Sequence, residues 1–532
     1  MKETASCRLS PIHHTLRHLV QCIICATIVM AAVGCSDKRD GHEEITLESF
    51  SGLADPQFRM DTEDVRKGVL HMVREDTSSL FADRQAKRHY RSGGRLLWID
   101  RHGVRQEADT LLRYLKEVGD MGFTPRSFRT EHIAEDLQRA RTLRFDSTGN
   151  CIQAVMARLE YNLTKAYVNY VTGLQFGFVN PGRLLNRIDP VAGDSTGREF
   201  QRLFDIPVKR PDEAYCTSLL DKVRQDSAAI LIRQAQPRSA FYRQLKDAFA
   251  QSATRDERIR ALCNMERCRW KTDDQPEMHD KYVMVNIAAQ QLEAVDGDST
   301  LTMRIVCGAM KTKTPLLTSR MMRIDVNPQW IIPRSIVEHE VMHHVGDSAY
   351  FARNNYFVME RQSGKRIPQE EVTAQLLKDK GYLVVQEGGE GNSLGRIIFR
   401  FDNNFSVFLH DTSNPAAFAR SRRTISHGCV RVEKPFELAR FLLGPGNGET
   451  LDRIDYSMKA DLHALADPNT PQTEKPDRKK LINSVKVEPQ VPLYIAYYTL
   501  YPDRENKGRL RKYEDIYGYD NLIYKQLTAF MK

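Results

Sequence analysis

With 532 residues, 41% of them hydrophobic and 28% charged, the chain has the length for two to four domains and ample material for buried cores. Its formal charge of +9 sits on scattered, solvated lysines and arginines. Without an arginine-rich helix, zinc-finger spacing or RNA-binding motif, that charge excludes nucleic acid as the expected partner.

Lys2, Arg8 and Arg17 lead into an apolar run from Leu19 to Val33, which is short for a membrane span. The run ends in Ala32-Val33-Gly34-Cys35 and gives way to the polar "SDKRDGHEE". This stretch resembles a bacterial lipoprotein signal. The resemblance implies a signal peptide over residues 1–35 with Cys35 lipidated; the alternative is an uncleaved signal anchor. Ser36 carries no signal for inner-membrane retention. The expected location is therefore the periplasmic side of the envelope, on the outer membrane of a Gram-negative bacterium. Loss of the leader also removes Cys7, Cys22 and Cys25, leaving Cys151, Cys216, Cys263, Cys268, Cys307 and Cys429 beside the lipidated residue. No C-x-x-C pair is among them, so buried free thiols are the expectation, with Cys429 the exception.

Residues 36–60 read as a tether and 61–275 as a helical scaffold domain. In "QEADTLLRYLKEVGDMGF", Ala108, Leu111, Leu112, Leu115 and Val118 recur at helical spacing until Gly119 and Gly122 break it. "CIQAVMARLEYNLTKAYVNYVTGLQFG" reads as a long amphipathic helix, and "RDERIRALCNMERCRWKT" as the last of this half. Near 280 the period changes to that of strands. "KYVMVNIAAQQLEAVDGDSTLTMRIVCGAM" predicts a hairpin about "DGDS". A helical insert is expected over 335–385. Strands return in "GRIIFRFDNNFSVFLHD", with a turn at Asn403-Asn404, and a helix follows in "EKPFELARFLL". Residues 461–532 supply an exposed loop and a final strand, "QVPLYIAYYTLY", completing a mostly β domain over 280–460. The fold class is α+β.

Two motifs compete for the chemistry. His339-Glu340-Val341-Met342-His343 matches the H-E-x-x-H zinc pattern, in which two histidines four apart on a helix face one metal. Ser335 and Glu338 would cap that helix and Gly346 would end it. Val337, Val341, Met342 and Val345 then form its apolar face, which turns His339 and His343 to solvent. The extended zinc pattern fails at Ala349, and the spacing of Glu370 and Glu371 marks neither as a third ligand. No metal is expected here.

The second motif is "TISHGCVRV" at 424–432, with His410 nineteen residues before Cys429 at the end of "FSVFLH". A thiol nucleophile needs a base adjacent in space, which neighbouring strands joined by a long loop can supply. Gly428 leaves the backbone open for amide groups to face an oxyanion. From spacing alone, a structural cysteine at a strand end is an equal reading. His410, fifteen intervening residues and Ser426-His427-Gly428-Cys429-Val430 resemble the hallmark of bacterial L,D-transpeptidases, with Arg431 where that hallmark has asparagine. "NMERCRW", "VNIAAQQLEAV", "KTP", "VNPQWIIP", "GNSLGRIIFRF" and "DIYGYD" are similar to the large murein branch of that family, as "LLWIDRHG" and "GFTPRSF" are to its scaffold domain.

The resemblance implies an enzyme that cross-links peptidoglycan stem peptides 3→3 through a cysteine thioester, and it implies no cofactor. Cys429 is the nucleophile, His410 the general acid and base, and the backbone N–H groups of Gly428 and Cys429 the oxyanion donors. Ser426 and His427 are orienting candidates, Arg423 and Arg431 candidates for stem carboxylates, and Asp411 is expected to fix the local turn. The same thiol with water as acceptor gives an L,D-carboxypeptidase or cross-link hydrolase. A non-catalytic murein-binding lipoprotein is the third reading.

Overall fold

A computed structural model describes residues 60–531 apart from 101–102, 147–148, 192–195 and 467. The expected leader with Cys35, and the tether through residue 59, lie outside the described residues.

The helical half is built around polar groups that have been made safe to bury. Helices α1 (Thr62–Glu75), α2 (Phe81–Arg91) and α3 (Thr130–Thr142) pack on α4 (Ile152–Phe176). The amphipathic reading of α4 needs correction, because nearly its whole circumference is buried. Its polar residues misled the pattern, and the charged residues Glu160 and Lys165 find partners inside. Glu160 accepts the N–H groups of Leu97 (2.6 Å) and Trp98 (2.9 Å) and the Tyr90 hydroxyl (2.6 Å). Lys165 pairs with Asp76 and, at 3.1 Å, with Asp83. Burial pushes the Glu160 carboxyl up to about 7, against the pull of those hydrogen bonds.

Past α5 (Arg255–Arg269) the period-2 pattern takes over. Strands β1 (Lys281–Asn286), β2 (Gln291–Asp296) and β3 (Ser299–Gly308) form a meander rather than one hairpin. The turn at Gly297, where φ is +55°, was legible, whereas the turn over 287–290 was hidden in an apolar run. Strand β4 (Leu316–Val326) precedes the insert, whose strands are β5 (Trp330–Ile331), β6 (Tyr356–Glu360), β7 (Arg366–Ile367) and β8 (Tyr382–Gln386). After it come β9 (Ile397–Phe401), β10 (Leu409–His410), β11 (Thr424–Ser426), β12 (Val430–Val432), helix α6 (Pro435–Leu443) and β13 (Ser484–Ala496).

Order β9-β10-β12-β3-β2-β1-β13-β4, with β4 returning to β9, closes these strands into a barrel. Alternation sends Val283, Val285, Leu493 and Ile495 into its core, while Tyr282, Met284 and Tyr494 pack on the outside. The turn at Asn403 is held by its own side chain, which accepts from Phe405 N–H and Val407 N–H.

The insert is not simply helical. It is a four-stranded antiparallel sheet, β7-β6-β8-β5, covered by short helices around a small core of its own. Beyond β13 the chain makes a hairpin, β14 (Leu500–Asp503) with β15 (Arg509–Lys512), and then α7 (Tyr519–Leu527). Ile523 and Leu527 enter the helical core, so the last residues return to the first half. Among the described residues no helix is long and apolar enough to cross a membrane.

Glu160→Ala leaves the N–H groups of Leu97 and Trp98 buried without an acceptor, while the Tyr90 hydroxyl keeps Thr164 Oγ1. At about 1–3 kcal/mol for each unsatisfied group, several degrees or more of Tm should be lost in a thermal melt. An unchanged Tm would show that the helical core does not depend on this carboxylate.

Candidate active site

The site is set by strand register. Strands β10 and β12 run parallel, with Leu409 opposite Val430 and His410 opposite Arg431. Leu409 and Val430 are fully buried in the barrel core. Alternation therefore turns His410 and Arg431 to the other face, with half-buried Cys429 just ahead of Val430. Val430 N–H donates to Phe408 carbonyl at 2.9 Å and locks the two segments together. One strand spacing thus separates the elements carrying the thiol and the imidazole.

His410 is buried, and its Nδ1 lies 3.3 Å from the Leu394 carbonyl. A carbonyl can only accept, so Nδ1 carries the proton and Nε2 keeps its lone pair. Burial first, then the charge of Arg431, lowers the imidazole to about 4, against smaller contributions from backbone carbonyls. Burial likewise raises the Cys429 thiol, opposed by the Phe408 backbone and the charges of Arg431 and Arg400. The resting pair is a neutral thiol and a neutral base. Asp411 is no third member: its Oδ2 accepts the Arg396 N–H at 2.8 Å, which fixes the turn as expected.

The loop carrying Cys429 is pinned from below. Ser426 Oγ donates to the Cys429 carbonyl at 2.6 Å and accepts the Gly428 N–H at 3.2 Å. That second bond corrects the expected role of Gly428, whose N–H is already engaged and does not await an oxyanion. The Cys429 N–H has no hydrogen-bond partner among the described residues and is the donor left open. Gly428 is required for a different reason, since its φ of +117° is reached readily only without a Cβ. Thr314 Oγ1 donates to the Gly428 carbonyl at 2.9 Å, and Thr312 Oγ1 to the Ser426 carbonyl at 2.9 Å. Tyr517 holds the loop bearing those threonines, donating to the Gly308 carbonyl at 2.6 Å and accepting from Thr314 N–H at 3.2 Å.

The arginines separate. Arg423, a candidate for stem carboxylates, spends its guanidinium on the carbonyls of Ile305 (3.0 Å), Arg420 (2.8 Å) and Gln290 (3.1 Å), so its expected role gives way to a structural one. Arg431 is half-buried, and its Nε is buried without a partner among the described residues. His427 is exposed at the rim. Residue patterns could not have revealed the Leu394 carbonyl, because a backbone acceptor has no letter. Thr314 and Tyr517 did have a signal, in "KTP" and "DIYGYD".

The zinc-like stretch is elsewhere, on the insert. Its helix, Arg334–His339, starts at Pro333 with no side-chain cap, so the Ser335–Glu338 box does not form. Glu340 (φ −126°, ψ −63°) interrupts it, and a 3₁₀ turn, Val341–His344, follows. The two histidines consequently sit on different pieces of backbone, both exposed. His339 Nδ1 is spent on the Ser335 carbonyl at 2.7 Å. Among the described residues no three His, Cys, Asp or Glu side chains are grouped to hold a metal.

Comparison with known proteins agrees with this geometry. Residues 280–468 match the L,D-transpeptidase catalytic domain, and residues 84–249 match a scaffold domain. A Haemophilus influenzae protein named "Putative L,D-transpeptidase" is 28% identical over 250 residues, 47% of this chain. The chain spans about half (46%) of that relative's length. Residues 280–468 are thus an L,D-transpeptidase catalytic domain, with a scaffold domain N-terminal to it.

Changing His339 and His343 together to alanine should leave the zinc content of the purified chain unchanged by elemental analysis. Loss of one equivalent of zinc per chain would restore the metal reading.

Proposed function

We propose that the protein is a peptidoglycan L,D-transpeptidase that forms 3→3 cross-links through a thioester on Cys429. The observation that carries this reading is the parallel register of β10 and β12, which sets a lone-pair-bearing imidazole beside a half-buried thiol. As Cys429 Sγ attacks the carbonyl at the L-centre of a tetrapeptide stem's third residue, His410 Nε2 takes the thiol proton. The Cys429 N–H faces the developing oxyanion. The imidazolium then protonates the departing amine of D-alanine, which leaves the acyl group on sulfur. In the second half His410 deprotonates the side-chain amine of another stem, that amine attacks the thioester, and the thiol is restored. Arg431 offers an unpaired guanidinium to a stem carboxylate. Ser426 orients the loop, and His427 is placed to meet the donor stem. Thioester chemistry of this kind needs no metal or organic cofactor.

We assign residues 61–275 as scaffold and 280–460, with the C-terminal segment, as the catalytic domain. Residues 335–385 form its lid. The envelope is the place where such substrates lie, and the lipoprotein-like leader supports a periplasm-facing anchor at Cys35 on the outer membrane. Metabolic palmitate should label the wild type and leave Cys35→Ser unlabelled; a label that survives the substitution would remove the anchor from the proposal.

Sacculi incubated with the full chain and digested should yield 3→3 dimers by mass spectrometry. Trimmed tripeptides alone would mark the carboxypeptidase reading, and an unchanged muropeptide profile the binding-only one. A carbapenem, whose strained β-lactam carbonyl offers the same kind of target as a stem carbonyl, should acylate Cys429, and Cys429→Ala should abolish both that adduct and the dimers. His410→Ala should slow acylation about a hundredfold or more. Either product surviving at full rate in Cys429→Ala would overturn the site.

The pH dependence is specific. A free imidazole near 6.5 would be mostly protonated by pH 5. With His410 held at about 4, its base form persists across that interval. The rate of carbapenem acylation should stay level as pH falls from 7 to 5 and drop only as pH approaches about 4. A half-maximal rate near pH 6.5 would contradict a buried neutral base.

A further inference from the structure

The register that sets Cys429 beside His410 continues outward across the sheet. Ile397, Phe399 and Phe401 of β9 enter the barrel core, so Ile398 and Arg400 face outward. Ile398 stands opposite His410, and β9 runs antiparallel to β10. Arg400 therefore falls beside Phe408, the residue level with Cys429. On its other side Arg400 faces Arg323 of β4, which faces Lys486 of β13. One row across the outside of the barrel thus reads Cys429, Phe408, Arg400, Arg323, Lys486. Neighbouring strands lie about 4.8 Å apart, which puts the Arg400 backbone about 10 Å from that of Cys429.

Arg400 is held in place without being used up. Its guanidinium carbon lies 4.6 Å from the centre of the Phe408 ring, the side chain between it and Cys429 in the row. Its Nε donates to Asp325 at 2.8 Å. Both Nη groups lack an acceptor among the described residues, and both stay open to solvent. Asp325 cannot balance the row alone, because it also takes Arg323 Nε at 2.8 Å and the Ser484 hydroxyl at 3.1 Å. Three cations therefore meet one carboxylate. The ring and the Nε bond fix the plane of the Arg400 fork, so little freedom is left to lose when an anion arrives. Burial raises the Cys429 thiol, and the charge of Arg400 is among those opposing it, which shows how near the two groups are.

We propose that Arg400 is a specificity-determining residue that grips the distal carboxylate of the donor stem's third residue, the diamino acid whose L-centre carbonyl Cys429 attacks. The proposal rests on the transpeptidase reading above. In that reaction the departing amine must reach His410. Arg431 stands opposite His410, so the carboxylate of the leaving D-alanine falls to Arg431. Arg400 lies to the side, along the row, and meets the part of the stem that stays on sulfur. Three methylenes separate the two centres of diaminopimelate, which carry its distal carboxylate more than one strand spacing from the L-centre. That offset matches a fork stacked on Phe408. Lysine has the same distal amine and no distal carboxylate, and gives the fork nothing to hold.

The test compares two soluble donor tetrapeptides, one with meso-diaminopimelate and one with L-lysine at the third position. The full chain in detergent is mixed with each, and kcat/KM is read from the release of D-alanine. Wild type should favour the diaminopimelate stem. Arg400→Gln should lower that preference about tenfold or more, as expected for loss of a charge-assisted pair. Arg400→Lys keeps the charge without the planar fork and should fall between the two. Circular dichroism and carbapenem acylation of Cys429 verify the fold and the thiol of both variants. An arginine acting only through its field at the thiol would slow both stems by the same factor. An unchanged ratio in Arg400→Gln therefore overturns the proposal and leaves the catalytic reading standing, as do equal rates for the two stems in wild type. Release of D-alanine from neither stem by wild type would instead remove the catalytic reading, and this subsite with it.

Discussion

The structure turns on a buried ion pair between its two halves. Arg267 on α5 meets Asp520 at the start of α7 at 2.6 Å, both nearly excluded from water. Such a pair stabilises little against an apolar equivalent, but removing one partner strands the other charge. Its environment makes it specific. Asn264, one turn earlier, accepts the Thr499 N–H at 3.1 Å and donates to the Thr499 hydroxyl at 2.8 Å, and that hydroxyl donates to Asp520 at 2.6 Å. The last helix can thus dock on the helical half in one register. Tyr517, two residues before α7, bonds the loop that carries Thr314, and Thr314 holds the Gly428 carbonyl. A continuous set of hydrogen bonds therefore joins the scaffold to the loop carrying Cys429.

That rigidity suits a site whose partners rest uncharged. A thiolate–imidazolium pair attracts and positions itself, whereas a thiol and a neutral imidazole attract each other weakly. Geometry must come from elsewhere. Here it comes from parallel strand pairing on one side and from Ser426, Thr312 and Thr314 on the other. Desolvation raises the Cys429 thiol and lowers the His410 imidazole, so in the proposed mechanism the proton moves only as a carbonyl carbon is attacked. A raised thiol of this kind is a poor target for indiscriminate thiol oxidants, since little of it is thiolate at rest.

Much of this was legible in the residues, for identifiable reasons. The change of period near 280 gave the α+β division, and Asn403 announced its turn through side-chain chemistry that acts locally. Cys429 and His410 could be paired because spacing and residue type both bear on the chemistry. Helix α4 was misread because hydrophobic periodicity assumes that a polar letter faces water, and Glu160 and Lys165 find their partners tens of residues away. Of the two backbone N–H groups expected to face an oxyanion, at Gly428 and Cys429, the first was not free because a side-chain hydroxyl, Ser426, had claimed it. The zinc motif failed for a backbone reason: H-E-x-x-H presumes an unbroken helix, and Glu340 breaks it. The insert's sheet was missed because its strands are short and separated by charged turns.

The insert and the base are linked through the segment that leaves the insert. Gln386 ends β8, and its Oε1 accepts the Ser393 N–H at 2.9 Å. Asn392, fully buried, donates to the carbonyls of Glu387 (2.7 Å) and Pro328 (3.2 Å) and accepts the Leu394 N–H at 2.8 Å. Pro328 and Glu387 flank the two strands by which the insert enters and leaves, so one amide clamps both crossings and fixes Leu394. The Leu394 carbonyl is in turn the acceptor that sets the His410 tautomer. Gly395 follows with φ +69°, and a Cβ there would stand 2.5 Å from Asp411, which keeps this return tight against the base. Displacement of the insert about its crossings would pull on the same amide that holds the carbonyl. The position of the insert and the tautomer of His410 are therefore tied to one buried asparagine.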